Sequence, residues 1–249
     1  MERTERKRES RLLNNGWKFV YGFREADETG DWEQWPDVGL PHSFGIPYFM
    51  ENEFYVGYGC YRRELQLSAE DLKKRLLLEF HGVFQCAEVF LNQMPVGEHR
   101  GGYTSFVIDL TGMCREGLNE LFIRVNNEWD AQLAPRAGEH QFNGGIYRDV
   151  SLILTDPVCV DWMGTFVWTR QLEPDAARLE AQVTIHVPES EEKKKRSLRL
   201  VNRISLDGKT VAEREHALED GSSQTVPMEF SVEQPRLSSP EDPATYPMT

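Results

Sequence analysis

The chain is poor in cysteine and in long apolar runs, and each shortage removes a class of protein. Four cysteines occur among 249 residues, at positions 60, 86, 114 and 159. Their gaps are wide and irregular. No pair has the close spacing of a zinc knuckle or of a CxxC redox site. The thiols read as free and partly buried, which suits a reducing compartment, so a cytoplasmic location is expected. No run of 18 apolar residues is present, so no membrane-spanning helix is expected. The opening stretch, MERTERKRESRLLNNGWKF, holds no apolar segment of signal-peptide length. The mixed charges of residues 2–11 read as a solvated tail, and residues 1–12 are expected to be flexible. Basic residues are also in the minority. With 28 Lys and Arg against 41 Asp and Glu, the formal charge is −13. Such a chain gains little from a phosphate backbone, and no nucleic-acid partner is expected. Helical periodicity is missing too. AEDLKKR at 69–75 and DLTGMC at 109–114 suit single turns and nothing longer.

What remains is abundant strand sequence. The chain carries 13 Phe, 8 Tyr and 6 Trp, ample for compact cores. LLLEF at 76–80 is a short apolar run. Ala87, Val89 and Leu91 share one face of AEVFL, as do Leu121, Ile123 and Val125 of LFIRV. Turn signals separate these runs at NQMPVG (92–97), GG (101–102) and EG (116–117). After TDPVCVDW the alternation becomes regular. Leu179, Ala181, Val183, Ile185 and Val187 alternate with polar residues, and so do Val226, Met228, Phe230 and Val232. Asp207-Gly208 is a strong hairpin turn, and EEKKKR at 191–196 reads as an exposed loop tip. The pattern predicts an all-β protein with two sandwiches, residues 13–156 and 157–249, the second small and immunoglobulin-like. The end, PRLSSPEDPATYPMT, is Pro-rich. Tyr246 lies where a further strand would begin, so the second sandwich is expected to be truncated there.

Several motifs now fall in a familiar order. They are LNNGWKF at 13–19, VGLPHSF at 38–44, FYVGYGCYRRE at 54–64, FHGVFQCAEVFLNQMPVGEHRGGYTSFVIDLT at 80–111, FNGGIYRDVSLI at 142–153 and SSPEDPATY at 238–246. Together they resemble the N-terminal region of glycoside hydrolase family 2, the β-galactosidase and β-glucuronidase family. The resemblance implies a jelly-roll, sugar-binding-type sandwich, then an immunoglobulin-like one. It also implies a (β/α)8 barrel carrying two catalytic glutamates, for which this sequence shows no βα repeat. Four positions depart from the family pattern. Ser43-Phe44 stand for Asp-Trp, Cys60 for Trp, and Gln93 for the Gly after Asn92. An aromatic body survives at Phe44. Gln93 requires a turn that tolerates its side chain, or a left-handed Asn92.

Candidate residues follow from chemistry and from the resemblance. Neutral sugars are recognised by groups that accept hydroxyl hydrogen bonds, beside an aromatic face. The loop NNEWDAQLAPRAGEHQF at 126–142 supplies both, through Trp129, Asp130, Glu139 and His140. The resemblance implies that a loop aspartate reaches the barrel's pocket, and Asp130 is the matching residue. Asn52 and Tyr55, in the aromatic loop at 45–59, are further substrate-binding candidates. His42, Tyr61, Arg62, Gly101, Gly102, Gly144, Gly145, Tyr147 and Arg148 belong to the motifs and read as structural. The two glycines of HQFNGGIYRDVSLIL allow a tight bend or close packing. Arg148 falls in register with Ile146, Val150 and Leu152, where an arginine, if buried, must find partners such as backbone carbonyls or a carboxylate. His42 and His99 read as satisfied structural histidines.

Retaining glycoside hydrolysis needs two carboxyl groups roughly 5–5.5 Å apart. The resemblance places them at strand ends of the barrel. No catalytic residue, metal or cofactor is therefore assigned to this chain, which is expected to be inactive alone. The resemblance implies exo-acting hydrolysis of a β-linked sugar, β-galactoside foremost, with this chain shaping one wall of the pocket and supporting homo-oligomer contacts. Two other classes fit the composition: a stand-alone carbohydrate-binding module, and a structural sandwich that binds protein partners.

Overall fold

A computed structural model describes residues 8–22, 32–45, 55–133, 144–192, 197–218 and 222–249. The chain forms two compact units, Met1–Asp156 and Pro157–Thr249.

Among its described residues the first unit has ten strands: β1 Glu9–Leu12, β2 Trp17–Tyr21, β3 Asp37–Val38, β4 Tyr58–Leu67, β5 Arg75–Phe80, β6 Cys86–Leu91, β7 Met94–Arg100, β8 Phe106–Asp109, β9 Gly117–Asn126 and β10 Val150–Thr155. They make two antiparallel sheets, ordered β1-β10-β5-β8 and β3-β2-β4-β9-β6-β7. This is a jelly-roll β-sandwich. Its core is built by the alternation visible in the sequence. Ala87, Val89, Leu91, Leu121, Ile123 and Val125 come from one sheet and meet Leu76, Leu78, Phe80, Leu152 and Leu154 from the other. The period of two sends the intervening residues to the opposite face. The helical part of AEDLKKR is a single 3-10 turn at Asp71–Lys73, and Arg75 already begins β5. The β6–β7 turn is closed by Asn92 and Gln93, both left-handed with φ of 49° and 69°. The Asn92 amide helps hold it there, donating to Asn119 Oδ1 at 3.0 Å.

The second unit has β11 Cys159–Leu172, β12 Ala176–His186, β13 Leu198–Leu206, β14 Lys209–Leu218 and β15 Gln224–Glu233. A β11-β12-β15 sheet faces the β13-β14 pair across Val183, Ile185, Ile204, Val226 and Phe230 in an immunoglobulin-like sandwich. Asp207 and Gly208 take φ of 49° and 76°, so a two-residue turn of the primed type joins β13 to β14. Of the EEKKKR tip, residues 191 and 192 end a helical turn, Glu189–Glu192, and residues 193–196 lie outside the described residues. Near Tyr246 the described residues form no strand but an isolated bridge, Ile204↔Met248. Ser205 N–H donates to Pro247 O at 3.0 Å, and Arg203 and Thr249 exchange backbone bonds of 2.8 and 2.9 Å.

One expectation is corrected. Residues 9–12 are not a loose tail but a strand, paired with β10 from Glu9↔Leu154 to Leu12↔Ser151. Its charges are not merely solvated. Arg11 donates two bonds to Asp71, of 2.7 and 3.0 Å, and one to Glu9, while Lys74 holds the other Glu9 oxygen. The Arg11 guanidinium holds the Asp71 carboxyl well below its usual range. Ladder bonds and a two-pronged ion pair outweigh the entropy of four ordered residues. Arg11→Ala should therefore cost about 1–2 kcal/mol in urea unfolding, since it leaves a largely buried carboxylate without its main partner. Backbone amides of residues 9–12 should lose exchange protection in the same variant.

Candidate functional site

The Gly-Gly pair that precedes β10 forms the floor of a rim at one end of the first sandwich. A Cβ on Gly144 would lie 2.1 Å from Phe44 Cδ2 and 2.7 Å from Asn127 Nδ2. One on Gly145, at φ +111°, would lie 2.7 Å from Tyr61 Oη and 2.8 Å from His42 O. The glycines thus serve close approach, and backbone bonds complete it. Phe44 N–H donates to Gly144 O, His42 N–H to Ile146 O, and Gly145 and Phe84 exchange both of their bonds. Gly102 repeats the device, since a Cβ there would sit 2.2 Å from Phe84 Cδ2. Tyr147 Oη donates to Gly102 O, which joins the two glycine motifs. Gly101, at φ +142°, lets the chain turn into the second of them.

An aromatic cluster of Phe19, Tyr21, His42, Phe44, Tyr55 and Tyr61 packs behind this floor. Tyr61 Oη lies 2.8 Å from His42 Nδ1 and accepts from Ile146 N–H at 3.3 Å. Burial pushes the Tyr61 hydroxyl well above its usual value and brings His42 down to about 4. A neutral imidazole accepting from the phenol satisfies both shifts. His42 is thus a half-buried group held by Tyr61. His99 stacks on Phe106 at 4.1 Å and approaches Thr104 Oγ1 at 3.3 Å.

The loop leaving β9 is anchored from below. Asn127 is buried; its Oδ1 accepts Gly57 N–H at 2.8 Å, and its Nδ2 donates to Tyr55 O at 2.9 Å. Buried Gln85 donates its amide to Glu128 O. Trp129 then emerges 59% exposed. Asp130 is half-buried; Oδ2 accepts from Arg100 Nη2 at 2.5 Å and Oδ1 from Gln132 N–H at 2.8 Å. An exposed indole beside a fixed, acceptor-only carboxylate suits recognition of a polyhydroxylated ligand.

Not every candidate joins this pair. Tyr55 Oη donates to Tyr58 O at 2.8 Å and accepts Gly22 N–H at 3.0 Å, so its hydroxyl is engaged within the sandwich. Asn52, Glu139 and His140 lie outside the described residues. Arg148 is corrected. It precedes β10 on an exposed turn, with its guanidinium 5.3 Å from the Tyr147 ring and a long 3.5 Å bond to His81 O. Among the described residues the buried arginines are Arg62 and Arg75; Arg62, 1% exposed, donates to Glu120 and lies over Phe122 and Trp35. A cleft of about 440 Å³ beside Trp32, Glu64 and Glu120 opens at the far ends of β4 and β9 and takes in none of the rim. Among the described residues, no group of three His, Cys, Asp or Glu side chains is placed to hold a metal ion.

Comparison with known proteins agrees with this architecture. Residues 28–157 match the family described as "Glycosyl hydrolases family 2, sugar binding domain". The chain belongs to that family. It is 33% identical over 186 residues to a β-glucuronidase of Bacteroides fragilis, an alignment covering 72% of this chain and 26% of the relative. It is 29% identical to a β-galactosidase of Bacteroides ovatus, covering 96% of this chain and 29% of that one. The crystal structure of a Bacteroides uniformis β-glucuronidase superposes with a TM-score of 0.86 at 29% identity, over 96% of this chain and 30% of the other. The chain thus spans less than a third of the length of these family members and corresponds to their N-terminal, sugar-binding portion.

Sequence reasoning passed over Arg100, Gln85 and Asn127. Asn127 and Gln85 are polar residues at buried positions, and nothing in a single sequence separates them from exposed neighbours. Arg100 carried a signal, since it directly precedes the Gly101-Gly102 turn.

Two measurements check this geometry. Gly144→Ala should destabilise the first sandwich by about 2–3 kcal/mol, because Phe44 lacks room to retreat; unchanged denaturant midpoints would contradict the packing. His42, held near 4 when folded and near 6.5 when unfolded, makes the unfolded state bind more protons in that window. Stability should be full above about pH 6.5 and fall by on the order of 2–3 kcal/mol as the pH drops toward 4. His42→Gln should flatten most of that slope; His99, also lowered by burial, supplies a remainder.

Proposed function

We propose that this chain supplies one wall of the sugar pocket of a β-glycosidase whose catalytic carboxylates lie on a barrel outside it. Asp130 accepts hydrogen bonds from sugar hydroxyls there, and Trp129 offers an apolar face. The supporting observation is the anchored loop that presents an exposed Trp129 and a fixed Asp130 carboxylate at the end of β9. The names of the relatives, β-glucuronidase and β-galactosidase, bound the substrate class. β-Galactoside is the first substrate to test. In this reading the chain scaffolds the barrel and has no hydrolytic activity by itself.

The test compares the 249-residue chain with the same chain joined to the remainder of the Bacteroides fragilis relative, on chromogenic β-galactosides, β-glucuronides and β-mannosides. Turnover is expected only in the joined protein. Asp130→Asn should raise KM there by about tenfold or more, the usual consequence of losing a hydrogen bond to a charged group. Turnover by the chain alone would overturn the division of labour. Tight saccharide binding by the chain alone would favour a self-sufficient binding module.

A further inference from the structure

We propose that Arg100 is a positioning residue: it holds the Asp130 carboxylate in the orientation that meets the sugar. The inference rests on the reading of Asp130 as a sugar contact, and it assigns a role to a residue outside the loop.

Arg100 is the last residue of β7 and stands directly opposite Cys86 across the β6–β7 ladder. β6 pairs in turn with β9, the strand from which the Trp129–Asp130 loop departs. The guanidinium therefore projects from a sheet whose register is set by two neighbouring ladders. Asp130 belongs to a turn that closes on itself. Its Oδ1 accepts Gln132 N–H at 2.8 Å, and its backbone carbonyl accepts Leu133 N–H at 3.2 Å. Arg100 Nη2, 2.5 Å from Oδ2, joins this local turn to the sheet.

The chemistry suits positioning. An ionised carboxylate offers about four lone-pair sites. The arginine and the Gln132 amide take one each, which leaves acceptor capacity for sugar hydroxyls. A carboxylate already fixed loses little rotamer freedom when ligand arrives, so its bonds appear as affinity. A pair this exposed contributes little to global stability. Its value lies in orientation, and that separates the proposal from an incidental surface ion pair.

Two measurements decide it. In the full 249-residue chain, Arg100→Gln should speed amide exchange at Gln132 and Leu133 by about tenfold, leave the melting temperature within about 2 °C, and be partly rescued by Arg100→Lys. Unchanged exchange at those two amides would overturn the positioning role. In the joined enzyme, Arg100→Gln should raise KM about fivefold with kcat little changed, and should add nothing to Asp130→Asn. If Asp130→Asn raises KM while Arg100→Gln does not, or if the two effects simply add, the positioning role fails and the sugar contact stands. If Asp130→Asn leaves KM unchanged, the sugar contact itself fails, and the role of Arg100 with it.

Discussion

The rim of the first sandwich depends on phenylalanine rings lying where glycine has no side chain. Phe44 is wedged between Gly59 and Gly144, and Phe84 lies against Gly102; a Cβ at any of these three glycines would come within 2.4 Å of a ring carbon. An interior this dense cannot absorb a methyl group by drifting apart. The contacts fix where the segment 144–146 runs relative to 42–44 and to Phe84, and the backbone bonds between them follow. β10 enters its sheet in one register because the chain before it has no other route. The aromatic body that Phe44 keeps in place of a family tryptophan is enough to fill this wedge.

Buried polar groups complete the frame. A polar side chain withdrawn from water must be satisfied or it costs stability. Asn127 and Gln85 meet that requirement by holding backbone groups of the segments they face, Gly57 and Tyr55 in one case and Glu128 in the other. Arg62 donates from one end of its guanidinium to Glu120, beneath a roof of Phe122, Trp32 and Trp35. The same bonds that satisfy Asn127 and Gln85 hold still the loop leaving β9. The described start of that polar loop is thus tied to the sandwich, and the indole and carboxylate follow directly on the tied residues.

How much of this was legible follows from which physical signals a single sequence holds. Strand alternation is local, so Val89, Ile123 and Val183 could be placed on core faces at once. Asp207-Gly208 fixed its hairpin for the same reason. Arg100 was hidden by one residue. An unbulged β6–β7 hairpin would set His99 opposite Cys86, but an irregularity between Phe90 and Val89 shifts the ladder so that Arg100 takes that place. Arg148 was misread because the strand was drawn from Ile146, whereas pairing begins at Val150 and the arginine stays on the turn. The tail was misread because ion pairing between Arg11 and Asp71 joins residues 60 apart in sequence, and no local pattern records it. Trp129 and Asp130 were singled out by chemistry and by the family resemblance, whereas no local pattern recorded the side chains that hold their loop.

The Asp130–Arg100 pair also bears on which sugar such a wall would accept. A lone aspartate would attract hydroxyl donors yet repel the carboxylate of a uronide. Arg100 at 2.5 Å offsets the Asp130 charge and so weakens that repulsion. Under the proposed function, the pair by itself would then separate a glucuronide from a galactoside only weakly. Discrimination between the two then has to come from a group that touches the sugar's sixth carbon, where a hydroxymethyl and a carboxylate differ. The sandwich would hold the features common to both sugars, and selectivity would be set on the opposite wall.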